Sequence, residues 1–152
     1  MIRITLACAG KLKENYLREA EQEFTKRLGA YCQLEIRCIN EEKMPDNPSP
    51  AVKEQVLARE TDRILKLIPE HSFVVLLDLK GKEISSPQLA EKMEQWMVEG
   101  VSHLTFVIGG PFGYTDALRK RADFRWSFSP LTFTHQMIRV LLWSRSTGLS
   151  RS

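Results

Sequence analysis

The feature that most constrains this chain is a nearly continuous apolar run, Phe73-Val74-Val75-Leu76-Leu77-Asp78-Leu79, followed by a second buried strand from His103 to Ile108. A strand with one wet face alternates apolar and polar residues. A continuous run instead marks a strand covered on both faces, as in parallel sheets with helices on either side. Between the two strands the sequence is punctuated as a helix. Ser86 can cap it, Pro87 suits its first position, Leu89, Met93, Trp96 and Met97 form a stripe, and Gly100 ends it. Ile2 to Cys8 and Cys32 to Ile39 read as further strands, the second with Leu34, Ile36 and Cys38 alternating. Tyr16, Ala20 and Phe24, joined by Leu17 and Leu28, have helical spacing. Asn40 to Pro50 reads as a surface loop before a helix from Ala51 to Leu67. Asp116 to Ala122 predicts a short helix, Phe124 to Phe128 a short strand, and His135 onward a last helix. This alternation predicts an α/β fold with a mostly parallel sheet flanked by helices. A length of 152 residues fits a single domain, 1–152.

Several classes are excluded early. With 43% apolar and 27% charged residues the balance is that of an ordinary globular protein. No apolar run reaches the roughly 18–20 residues a membrane span needs. Met1 to Cys8 is too short and too alternating for a signal peptide, so a cytoplasmic location without membrane partners is expected. Cys8, Cys32 and Cys38 are odd in number and lack metal or redox spacing, so reduced thiols are expected. His71, His103 and His135 have no neighbour at metal-ligand spacing, and no metal is expected. The chain also lacks a Gly-x-Gly-x-x-Gly motif, a Walker-type Gly-Lys-Ser/Thr and a Ser-His-Asp order. A net charge of +3 says little, but from Arg119 to the end seven basic residues face one acidic residue, Asp123. That excess suits phosphates, or is simply a solvated charged face.

Two stretches carry the chemistry. Thr105-Phe106-Val107-Ile108-Gly109-Gly110-Pro111-Phe112-Gly113-Tyr114 reads as a buried strand stopping at a Gly-Gly-Pro turn, where bare backbone lets a ligand approach closely. Trp126 to Val140 is a Ser/Pro/Thr-punctuated loop running into a helix that opens near His135. Strand ends and loops of this kind hold nucleotide-like ligands in α/β proteins. Both stretches resemble the SPOUT class of S-adenosylmethionine-dependent RNA methyltransferases, and within it those acting on large-subunit ribosomal RNA. Ala9 to Tyr16, Thr25-Lys26-Arg27-Leu28 before Tyr31, and Asp62-Arg63-Ile64-Leu65 agree with the same pattern. The match runs in register from Met1 to about Leu142.

The resemblance implies a C-terminal trefoil knot, an exception to the rule against threaded chains. It implies a homodimer with S-adenosyl-L-methionine bound in the knot. Carried over by position, the cofactor contacts fall at Leu77, Gly109, Gly110, Phe128, Ser129, Pro130, Leu131, Thr132 and Phe133. Leu77 suits an apolar wall against adenine and equally a plain core position. Gly109 and Gly110 suit a cofactor lying on bare backbone, or an ordinary tight turn. The loop from Phe128 to Phe133 offers backbone donors and acceptors between apolar side chains. His135 suits a substrate-side role, although a histidine at a helix start is commonly a structural hydrogen-bonder. The implied reaction is methyl transfer to N3 of a pseudouridine in 23S rRNA. The sulfonium carries its own activation, so alignment is the main task, with Arg139 suited to holding phosphate or developing negative charge. N3 must also lose a proton, to a positioned base or to water.

The end of the chain departs from the pattern. Relatives continue after Leu142 with Val-Glu-Gln-Val/Ile-Tyr-Arg-Ala and finish in Tyr-His-Lys/Arg, whereas here Trp143 to Ser152 is Ser/Gly-rich without a helical stripe. Codons permitted by residues 142–152, with one G restored before that of Trp143, read Leu-Val-Glu-Gln-Val-Tyr-Arg-Ala-Phe-Lys-Ile. A one-base deletion in the gene or its sequencing is the hypothesis, and resequencing the locus tests it: absence of the restored frame would remove the idea. In the family the missing tail helps form dimer and knot and lies over the target base. With that tail altered, cofactor binding is expected to survive better than methyl transfer, and the alternative function is a catalytically inactive cofactor- or RNA-binding remnant. Thr134, where relatives carry Pro, and Thr61, where they carry Gly, are milder departures.

Overall fold

A computed structural model describes residues 2–10, 32–110 and 112–127, together with Asn15, Arg18, Glu19, Glu21, Gln22 and Lys26, which are helical. The elements, in chain order, are β1 (Ile2–Ala9), β2 (Cys32–Ile39), α1 (Pro50–Leu67), β3 (Phe73–Lys82), α2 (Ser86–Val98), β4 (His103–Ile108), α3 (Asp116–Arg121) and β5 (Phe124–Trp126). The strands form one sheet in the order β2-β1-β4-β3-β5. Every pairing is parallel.

The period-two geometry of the strands sorts their apolar residues into two layers. Ile4, Leu6 and Cys8 of β1, Val75 and Leu77 of β3, and Leu104, Phe106 and Ile108 of β4 pack beneath Leu89, Ala90, Met93 and Trp96 of α2. Ala7, Val74, Leu76 and Val107 point the other way, against Ile64 of α1 and Leu118 of α3. Both faces are thus covered, which is why β3 is apolar without a break from Phe73 to Leu77. At about 25 cal/mol per Å² of apolar surface removed from water, these two layers supply the main favourable term in folding.

The helix ends follow local chemistry. Ser49 caps α1 by accepting from the Val52 amide at 3.2 Å, and Pro50 begins the helix. In α2 the cap is Ser85, one residue before the expected Ser86, because Gln88 reaches back to the Ser85 amide at 2.8 Å and completes a capping box. Gly100 follows α2 at φ +104°, a conformation that L side chains rarely adopt. Strand β3 extends past the turn expected at Lys80-Gly81-Lys82. Its pairing with β5 shifts register between Leu77 and Lys82, and Gly81 lies where a Cβ would meet the Arg125 backbone at 2.7 Å. Strand β5 ends at Trp126 rather than Phe128.

One expectation is corrected. Cys8 and Cys38 are joined by a disulfide rather than being free thiols. They are 30 residues apart but directly opposite each other in the β1–β2 register, so the sheet places their Cα atoms 4.7 Å apart. The knot, the last helix, residues 143–152 and most of the helix expected from Tyr16 to Leu28 lie outside the described residues.

Candidate functional site: the carboxyl ends of β1, β3 and β4

The chain leaves β1 toward β2 on one side and leaves β4 toward β5 on the other. Between these neighbouring strands the connections diverge, which is the arrangement that opens a ligand crevice beyond the carboxyl ends of a parallel sheet. Both strands end in glycine there. Gly10, at φ +115°, donates its amide to the Ile39 carbonyl at 2.9 Å. Gly109 and Gly110 follow β4, and the Gly113 amide closes the turn onto the Gly110 carbonyl at 3.2 Å. Phe112 lies at the tip of that turn and is 55% exposed.

Helix α1 braces this turn from below. A Cβ on Gly110 would run into the Glu60 carboxylate, which is 5% exposed and accepts the Glu42 amide at 3.1 Å. The next residue, Thr61, accepts the Thr115 amide at 3.1 Å. Side chains of adjacent α1 residues therefore meet both ends of the segment from Gly110 to Thr115.

Tyr114 ties the β4 side of the crevice to the neighbouring strand β3. Its ring occupies the space a Cβ on Gly109 would enter, with Cδ1 only 2.6 Å from that position. Its hydroxyl donates to the Leu77 carbonyl at 3.4 Å. Ladder pairing between β3 and β4 stops at Leu76 and Val107, so Tyr114 reaches Leu77 just where the strands part. Burial, reinforced by the nearby Asp78 charge, pushes the phenol up to about 12, so it stays a donor at any ordinary pH.

Asp78 completes the cluster. It is 5% exposed; its Oδ1 accepts the Lys80 amide at 3.0 Å, and its Oδ2 faces Arg119 Nε at 3.5 Å and Arg125 Nη1 at 3.6 Å. Oδ2 makes no hydrogen bond among the described residues, so the two guanidinium charges are what offsets its burial. Arg119 also lies over the Tyr114 ring, 4.8 Å from its centroid, and donates to Asp116 at 3.0 Å.

Of the residues expected to contact cofactor, the structure brings Leu77, Gly109 and Gly110 to this one end of the sheet. Leu77 is 6% exposed, its side chain in the α2-side core and its carbonyl turned to Tyr114. Phe128, Ser129, Pro130, Leu131, Thr132, Phe133, His135 and Arg139 lie outside the described residues. Sequence reasoning passed over Asp78, Tyr114 and Glu60. Asp78 had a signal, as the lone charge inside an apolar run; Tyr114 and Glu60 had none, because their partners are distant in sequence. Among the described residues no group of three His, Cys, Asp or Glu is placed to hold a metal, and no helix is long and apolar enough to cross a membrane.

Residues 2–144 match the family described as predicted SPOUT methyltransferases, and the chain belongs to that family. Among curated relatives it is 45% identical over 141 residues to a ribosomal RNA large subunit methyltransferase H of Acetivibrio thermocellus, covering 93% of this chain and 89% of the relative. Proteins of the same description in Bifidobacterium adolescentis and Desulfitobacterium hafniense are equally similar, at 45% identity with the same shares covered.

Proposed function

We propose that this chain is an S-adenosyl-L-methionine-dependent methyltransferase acting on N3 of a pseudouridine in the 23S rRNA of the large ribosomal subunit. It works as a cytoplasmic homodimer. The observation that carries the reading is the Gly109-Gly110 corner at the diverging ends of β1 and β4, in a chain 45% identical to enzymes named for large-subunit rRNA methylation. We assign the cofactor to the main chain at Gly109 and Gly110, whose Cβ sides are taken by Tyr114 and Glu60, to the point at Leu77 where β3 leaves β4, and to the loop from Phe128 to Phe133.

When bound, the cofactor supplies a methyl group already activated on sulfonium. The chain's task is to align the acceptor and to exclude competing geometries. His135 and Arg139 are assigned to the substrate side, Arg139 to phosphate or to the negative charge left when N3 is deprotonated. The remnant alternative rests on residues 143–152, which lie outside the described part of the chain, and no observation favours it.

The test is transfer of tritiated methyl from S-adenosyl-L-methionine to ribosomes lacking the modification. The 152-residue chain should label one large-subunit pseudouridine. Transfer only by a version with the frame restored at Leu142 would show that the tail is required. Failure of both versions would refute the enzyme reading. Light scattering of the same two proteins tests the dimer, and monomers in both cases would count against it.

A further inference from the structure

We infer that Tyr114, braced by Arg119, is a positioning residue that fixes the β4 wall of the cofactor crevice, at Gly109, against the neighbouring strand β3 at Leu77. The inference rests on the cofactor reading above and adds a residue to which that reading assigns no role. Tyr114 touches both β4 and β3. Its ring fills the space beside Gly109 on β4, and its hydroxyl holds the Leu77 carbonyl on β3, one residue beyond the last β3–β4 pair. The backbone alone does not hold the strands together beyond that pair, so their spacing is set by what lies between them.

The ring itself is fixed from several directions. Arg119 covers one face at 4.8 Å and is anchored by Asp116 at 3.0 Å, with the buried Asp78 carboxylate 3.5 Å from its Nε. The Thr115 amide, next in sequence, is held by Thr61 at 3.1 Å. A phenol held this way arrives at its contact with little rotamer freedom left to lose. That is the condition under which a side chain pre-organises a binding site instead of merely filling it. The glycine at 109 then has a second reason beside ligand approach: any side chain there would displace the ring that fixes β4 against β3.

The experiment measures the dissociation constant of S-adenosylhomocysteine by titration calorimetry, and kcat and KM for S-adenosyl-L-methionine, on the full chain. Tyr114→Phe removes one hydrogen bond and should weaken binding about fivefold. Tyr114→Leu removes the spacer and should weaken it more than about tenfold, because the ligand must then order the β4 wall itself. Arg119→Met keeps the stem over the ring but loses the cation and should weaken binding about threefold. In each variant KM for the cofactor rises while kcat at saturating cofactor stays near the parent value. Ile36→Val, which thins the core at β2 far from the site, should lower the melting temperature without changing the dissociation constant. Binding by folded Tyr114→Leu within twofold of the parent overturns the inference alone. If the leucine variant does not fold, unchanged binding by both Tyr114→Phe and Arg119→Met overturns it equally. A parent chain that binds no S-adenosylhomocysteine overturns both this inference and the cofactor reading.

Discussion

Gly109→Ala is the most searching perturbation of the site, because the structure says what one methyl group would meet. The new Cβ would lie 2.6 Å from Tyr114 Cδ1 and 3.2 Å from its Cε1. Carbon atoms in contact sit roughly 3.5–4.0 Å apart, so the ring or the turn must move by about 1 Å. Gly109 is not among the glycines with positive φ, so the backbone itself accepts alanine and the cost is purely steric. Overpacking of this kind costs about 1–3 kcal/mol. The smaller conformational entropy of alanine in the unfolded chain offsets about 0.4–1 kcal/mol of that. The net expectation is a loss of about 1–2 kcal/mol, read as a shift in the urea midpoint with an unchanged slope. For a chain of this length that corresponds to a fall in Tm of roughly 2–8 °C. The origin is checked with a double-mutant cycle. In a Tyr114→Leu background the methyl group has room, and Gly109→Ala should become neutral or slightly stabilising. A coupling of at least about 1 kcal/mol follows. Strictly additive effects, or a Gly109→Ala variant as stable as the parent, would refute the steric reasoning and with it the packing of Tyr114 against β4.

Three further outcomes are expected. Asp78→Ala strips the Lys80 amide of its acceptor and leaves Arg119 and Arg125 facing each other without their carboxylate, so stability should fall by about 1–3 kcal/mol in urea unfolding; a loss under about 0.5 kcal/mol would contradict the role given to Asp78. Burial, followed by the Arg3 and Arg37 charges, lowers the pKa of His103, whose Nε2 lies 2.7 Å from Thr5 Oγ1. The unfolded chain therefore binds that proton more readily, and stability that is complete above about pH 6.5 should fall as the pH drops below it. The urea midpoint should decline between pH 7.5 and 5.5 more steeply in the parent than in His103→Gln, and parallel declines would remove the assignment. Finally, alkylation of the unfolded, unreduced protein should label one of its three cysteines and alkylation after reduction all three; three labels without reductant would contradict the Cys8–Cys38 bond.

Much of the architecture was legible because it depends on near neighbours in sequence. Whether a strand is wetted on one face or on none is written in its own residues, and the run at Phe73 announced a sheet covered on both sides. Helix punctuation was likewise local, and it misplaced the cap of α2 by only one residue because Ser85 and Ser86 offer the same hydroxyl. The reach of Gln88 back to the Ser85 amide decided between them. The resemblance to SPOUT methyltransferases came from short motifs at strand ends and is matched over residues 2–144.

What only the tertiary structure decided are the pairings between distant segments. Gly109 was visible in the sequence as a corner, but nothing nearby shows that the Tyr114 ring occupies the space beside it. Tyr114 holding Leu77 spans 37 positions, Thr61 holding Thr115 spans 54, and Cys8 meeting Cys38 spans 30. None has a local pattern, because periodicity records which face a residue is on and not what the opposite element brings to it. Strand order is of the same kind. The sequence by itself determined that strands and helices alternate in a covered parallel sheet. That β4 lies between β1 and β3, so that the Gly10 and Gly109 corners open beside each other, follows from how the layers pack. Burial of apolar faces is satisfied by many strand orders, and the folded chain settles on the one in which these particular side chains fit.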